Sequence, residues 1–156
     1  MKAKKQIITT QDIDLAITDV TLLSIEEYEA NKNIIPPIHD CWWLRSPGSD
    51  SSNVANVYDD GYVNDDNVDY DNNVRPVVAL RLSESCISNL DVGDKIEMAG
   101  YTWTMLRDGL ALCDDVVGRA AFRKDWKAKD ANVYEVSDIK KWLEKWAVEN
   151  GIEVQK

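Results

Sequence analysis

Between Ser49 and Asn73 there is not one Lys or Arg. The whole chain leans the same way, with a net charge of -10 and an isoelectric point near 4.5. Nonspecific binding of nucleic acid or anionic lipid depends on clustered Lys and Arg, so both are excluded as expectations. The electrostatically favoured partner is a protein with a neutral or basic surface. Cysteine is sparse too: Cys41, Cys86 and Cys113 are odd in number, widely spaced and without a CxxC pair. That argues against a disulfide framework or a zinc site and for three reduced thiols. No apolar run approaches the length of a membrane span, and the basic start, Met1 to Thr10, lacks the apolar stretch of a signal peptide. The expectation is a soluble protein made in a cytoplasm.

What is present begins with size. At 156 residues and 44% hydrophobic content the chain can bury one sizeable core and is too short for two large domains, so a single domain over 1–156 is expected. Six Trp against one Phe is an unusual aromatic set. Trp buries a large area but keeps an N–H that needs an acceptor, which predicts a core with polar bonds at its margin. The cation-free run holds seven Asp, six Asn, three Tyr and three Ser among its 25 residues. Such a composition predicts a displayed surface.

Along the chain, Val20 to Ser24 reads as a strand, and Ser24 with Glu27 predicts a capping box on a helix over 25–33, ended by Pro36-Pro37. Asp60-Gly61 predicts a hairpin turn between short β-prone pieces over 57–63. Val74 to Leu82 is the most strand-like segment, with Pro76 at its start or at an edge. Residues 83–91 read as a polar connector. Residues 93–100 and 101–106 predict two strands, and Arg107-Asp108-Gly109 turns into a third over 110–113, an antiparallel meander. Ser137 predicts the cap of a last helix, in which Ile139, Trp142, Leu143, Trp146 and Ala147 form the core-facing stripe and Gly151 the stop.

The blocks Trp42-Trp43-Leu44-Arg45-Ser46-Pro47-Gly48 and Val74-Arg75-Pro76-Val77-Val78-Ala79-Leu80 frame the acidic run. This pair, within 20–82, resembles the closing half of a bacterial and phage group of C-type-lectin-like domains, similar in fold to formylglycine-generating enzymes and to the variable proteins of diversity-generating retroelements. The segment 92–106, with Ser137 to Leu143, resembles the opening half of the same domains. The resemblance implies an α+β, C-type-lectin-like fold of short antiparallel strands with two main helices. Its halves stand in reversed order, as in a circular permutation joined through 83–91, and permutation is tolerated where termini meet at the surface. It also implies a phage or mobile-element protein, cytoplasmic when made in a bacterial host or associated with a virion. In the diversified members, adenine-directed mutagenesis of Asn codons leaves Asn, Asp, Tyr and Ser, the composition of 49–73. The same residues also suit a fixed, turn-rich acidic loop, and both readings stay open.

Several residue groups in and around the run offer candidate chemistries. Asp65, Asn67, Asp69 and Asp71 alternate like the first half of a calcium loop, but Tyr70 stands where that loop needs Gly and Pro76 where it needs the closing Glu. An EF-hand is excluded. No cofactor is expected; a looser calcium site is the alternative to solvated strand-face carboxylates, although the sugar-binding lectins' Glu-Pro-Asn and Trp-Asn-Asp motifs are missing. His39 and Cys41 can share a side of an extended chain, but no third group orients them, and no enzyme activity is carried over from the resemblance. Arg45 and Arg75 are expected to pair with carboxylates or carbonyls and pin the ends of the run. The basic island 123–129 reads as a solvated loop around one anchoring Trp, Trp126.

The expected function is non-catalytic binding, and the candidate binding residues are Tyr58, Asp60, Tyr62, Asn64, Asp66, Tyr70 and Asn72. Tyr gives contact area at low rotamer cost, and Asn and Asp add adaptable hydrogen bonds. The alternative is an acidic, phage-encoded inhibitor that mimics nucleic acid on a host defence nuclease, in the manner of an anti-CRISPR. A third reading is a virion decoration domain whose acidic run confers solubility.

Overall fold

Four apolar doublets, Leu22-Leu23, Trp42-Trp43, Val77-Val78 and Ala111-Leu112, account for the layered interior. Neighbours in extended backbone point to opposite faces. In each doublet one residue enters a cluster built around Trp43, Trp103, Phe122 and Leu143, and the other enters a second cluster around Tyr28, Trp42, Leu44 and Leu106. The backbone at each doublet is therefore covered on both sides.

The computed structural model describes residues 7–9, 15–82 and 91–155. Cys86 and all of the expected connector except Asp91 lie outside them. The strands are β1 (Ile7–Thr9), β2 (Leu15–Thr21), β3 (Trp42–Pro47), β4 (Asn53–Val57), β5 (Val63–Asn67), β6 (Asp71–Val74), β7 (Val77–Leu82), β8 (Lys95–Met98), β9 (Tyr101–Met105), β10 (Leu110–Cys113) and β11 (Gly118–Ala121). The helices are α1 (Ile25–Asn31) and α2 (Asp138–Glu149). One sheet has the order β1-β8-β9-β10-β7-β2 and the other β11-β6-β3-β4-β5. All pairings are antiparallel except β1 with β8 and β3 with β6. The chain is thus α+β, with two helices and two mostly antiparallel sheets among the described residues. No helix among them is long and apolar enough to cross a membrane.

The locally encoded elements form where expected. Ser24 Oγ accepts from Glu27 N–H at 3.1 Å while the Glu27 carboxylate accepts from Ser24 N–H at 2.9 Å, so the capping box is complete. Helix α1 ends two residues earlier than the expected Asn33. Ser137 caps α2, and Gly151 takes φ 73° just past its end. Pro76 precedes β7, which needs every N–H for its two neighbours. The expected strand at 20–24 is displaced: β2 ends at Thr21, Leu22 to Ser24 lie outside any strand, and a register shift falls between Ile17 and Asp19.

Two expectations are corrected. Trp126 does not anchor its loop: it is 44% exposed, and the island is held instead by Arg123, which pairs with Asp130 at 3.3 Å and donates to Val136 O. The run 49–73 is also not displayed throughout. It contains β4, a strand with a neighbour on either side, and Val54, Ala55, Asn56, Val57 and Val68 are buried with Asn72 and Asn73.

Of the six Trp, four are buried. Trp43 Nε1 donates to Ala120 O at 2.8 Å and Trp103 Nε1 to Met98 O at 2.9 Å, which satisfies the one polar atom each ring carries into the core. Trp142 is half-buried and lies over Gly118, where a Cβ would come within 2.7 Å of the ring.

Candidate functional site

The turn between β4 and β5 builds the centre of the site. Asp60 Oδ1 accepts from Tyr62 N–H at 3.0 Å, Gly61 takes φ 87°, and Tyr58 N–H donates to Tyr62 O at 2.9 Å, closing the hairpin. From α1, Tyr28 donates its hydroxyl to Gly61 O at 2.6 Å and so ties the turn to the scaffold. Tyr62 is thereby held with 67% of its surface exposed. At the other end of β5, Tyr70 stands on the turn into β6 and is 58% exposed.

Between these two rings lies a hydrogen-bonded group centred on Asp66. Its carboxylate accepts from Asn56 Nδ2 at 2.7 Å, from Asn72 Nδ2 at 3.1 Å and from the Tyr58 hydroxyl at 3.3 Å. The charge of Asp66, with burial second, pushes the Tyr58 hydroxyl above its usual pKa. Asp65, on the opposite face of β5, accepts from Ser49 N–H at 2.6 Å, and that bond holds its carboxyl below the usual range.

The seven candidate residues therefore divide. Asp60, Tyr62, Asn64 and Tyr70 are exposed, and Tyr58 and Asp66 are half-buried. Asn72 is corrected: only 6% exposed, it supports Asp66 from β6 and presents no surface. Sequence reasoning missed Asn56, which closes the same network from β4. Its signal was its place one residue before Val57 on the strand that enters the hairpin. Of the seven Asp in the run, Asp50, Asp59, Asp60, Asp69 and Asp71 are exposed.

The framing arginines do what their position suggests. Arg45 bonds the Glu27 carboxylate and Leu22 O, both at 2.6 Å. Burial alone would raise Glu27, but the Arg45 and Ser24 hydrogen bonds, with the Arg45 charge, hold it below the usual carboxylate range. Arg75 is fully buried, with Nε on Cys113 O at 2.7 Å and Nη2 on Pro36 O at 2.5 Å and Asp114 O at 3.2 Å. Its guanidinium lies over the Trp42 ring at 4.9 Å.

The other candidates are placed as follows. His39 is exposed, Cys41 is half-buried, and burial pushes the Cys41 thiol up, away from the thiolate a nucleophile needs. Asp65, Asn67, Asp69 and Asp71 are spread over β5, a turn and β6, with Asp65 bonded to Ser49 and Asn67 Oδ1 accepting from Asp69 N–H at 3.2 Å. Among the described residues no group of three or more His, Cys, Asp or Glu is placed to hold a metal ion. Cys41 and Cys113 are free thiols.

A family model described as a domain of unknown function (DUF6273) matches residues 10–82. The matched stretch, just under half of the chain, takes in β2 to β7, both framing blocks and all seven candidate residues. No curated protein and no solved structure matches the chain.

Proposed function

We propose that this chain is a non-catalytic recognition domain of C-type-lectin-like type, encoded by a phage or mobile element, which binds a protein partner through the hairpin β4–β5 and the turn into β6. The observation that carries this reading is the pair Tyr62 and Tyr70, two exposed rings at the ends of one strand, set among the exposed polar side chains of Asp60, Asn64 and Asp69. Exposed large aromatics on a tied-down turn have their ordering entropy already lost, which is how rigid paratopes gain affinity. The reading of the two halves as parts of one domain is supported by the way strands from both, β7 and β10, lie side by side in one sheet.

The runner-up, an acidic mimic of nucleic acid, is favoured by a different observation: five exposed carboxylates in a segment with no cation. The two readings part on salt dependence. A mimic loses affinity steeply as the screening length falls, from about 14 to 4 Å between about 50 and 500 mM salt, whereas a Tyr-anchored contact concentrates its energy in a few rings. Titration of a captured partner at both salts tests this. Near-constant affinity with a large loss on Tyr62→Ala is expected, and steep salt dependence with little effect of Tyr62→Ala would overturn the reading.

A further inference from the structure

Behind the hairpin turn runs a cleft of about 530 Å³, walled by Tyr28, Ile35, Ile38, Trp42 and Tyr58 with Arg75 at its floor. We propose that this cleft binds a monoanionic carboxylate carried on an apolar or aromatic body, with Arg75 Nη1 as the donor to the carboxylate. The inference goes beyond the recognition surface: it shares one wall with it but concerns a separate ligand.

The argument starts from an unmet bond. Nε and Nη2 of Arg75 face the carbonyls of Cys113, Asp114 and Pro36, while Nη1, equally buried, has no hydrogen-bond partner. Arg75 is in the cleft lining while Cys113, Asp114 and Pro36, which hold its other two nitrogens, are not, so Nη1 is the nitrogen assigned to a ligand in the cleft. Nor does Arg75 have a carboxylate partner among the described residues. Burial lowers its pKa to about 10, with the charges of Asp114 and Asp115 acting the other way from beyond ion-pair distance and the Trp42 face lying over the cation. A buried guanidinium with one unpartnered nitrogen and no direct ion pair, in the lining of an open cleft, is the state that an entering anion relieves.

The chemistry of the anion follows from the walls. One free donor edge suits a carboxylate, where a phosphate would call for several donors. Asp59 and Asp60 on the rim repel a dianion. The aromatic and branched walls suit a flat or branched apolar body. Lys32, also on the wall, is already paired with Glu29 at 3.1 Å.

The test is a ¹H–¹⁵N NMR titration of the full chain with phenylacetate and with its neutral counterpart, phenylacetamide. Saturable shifts of the Trp42 indole, Arg75 Nε–H and Gly61 amide are expected with the acid, and affinity about tenfold or more weaker with the amide, the share of one charge-assisted bond. Equal affinities, or no saturable shift, would overturn the inference, and neither result depends on a variant folding. Ile38→Trp fills the cleft from its wall without touching the Arg75 bonds, and shifts that persist in that variant would also overturn it. A Gly-Gly-Phe peptide with a free or amidated C-terminus separates sources: discrimination between the two forms assigns a chain end, and binding of phenylacetate alone assigns a free acid. Absence of carboxylate binding, with partner affinity still lost in Tyr62→Ala, sinks this inference and leaves the recognition surface standing.

Discussion

Asp66 organises the hairpin's polar face, because three side chains from three different stretches meet on its carboxylate. Asp66→Ala leaves the amides of Asn56 and Asn72 without their acceptor in a dry setting, a loss of about 1–3 kcal/mol measurable by urea unfolding. Tyr62→Ser, at a ring already in water, is expected to change stability by less than about 1 kcal/mol, against roughly 3–5 for Trp43→Ala in the core. Titration adds a second check. Glu27 and Asp65 have folded pKa values below their unfolded ones, so the stability they contribute is complete above the unfolded carboxyl value of about 4 and is lost as pH falls through the folded values. Acid unfolding should therefore steepen below about pH 4, and Glu27→Gln should flatten that limb. At this scale the sequence is legible where partners are close in number: Ser24 and Glu27 are three apart, and the Asp60 turn is two. Asp66 was legible only as a carboxylate, since its partners Asn56 and Asn72 are set by strand pairing.

The elements divide by the same physics. A capping box, an Asp-Gly turn and a 3.6-residue apolar stripe are local patterns, and α1, the β4–β5 hairpin and α2 follow from them. By contrast β3, β6 and β11 carry no strand signal of their own in the sequence. Trp42-Trp43-Leu44 is buried on both faces and shows no alternation, Asp71 to Asn73 carries no apolar residue, and Gly118 to Ala121 is too small to show a period. Ser24→Ala should cost about 1 kcal/mol through the lost cap. Gly118→Ala places a methyl into the Trp142 ring and is expected to cost about 1–3 kcal/mol, part of which is recovered in a double variant with Trp142→Ala. Additive losses would show that the ring and the glycine are not coupled.

For the whole molecule, the order of the strands matters more than their number. β7 lies between β2 and β10, and the larger cluster draws on Trp43 and Val78 from one half and Trp103 and Leu143 from the other. Separating 20–82 from 92–156 breaks that core, so the intact chain should unfold in one cooperative transition and neither fragment should fold alone. A folded 92–156 fragment would contradict the shared core. The scaffold so assembled leaves two tyrosines outside it, and the central claim is that these rings serve binding and not folding. The direct measurement is the affinity of a captured partner for the intact chain and for the Tyr62→Ala, Tyr70→Ala double variant, with melting temperatures taken on the same samples. The account predicts a loss of affinity of more than about tenfold with the melting temperature kept within a few degrees; unchanged affinity, or a collapse in melting temperature, would contradict it.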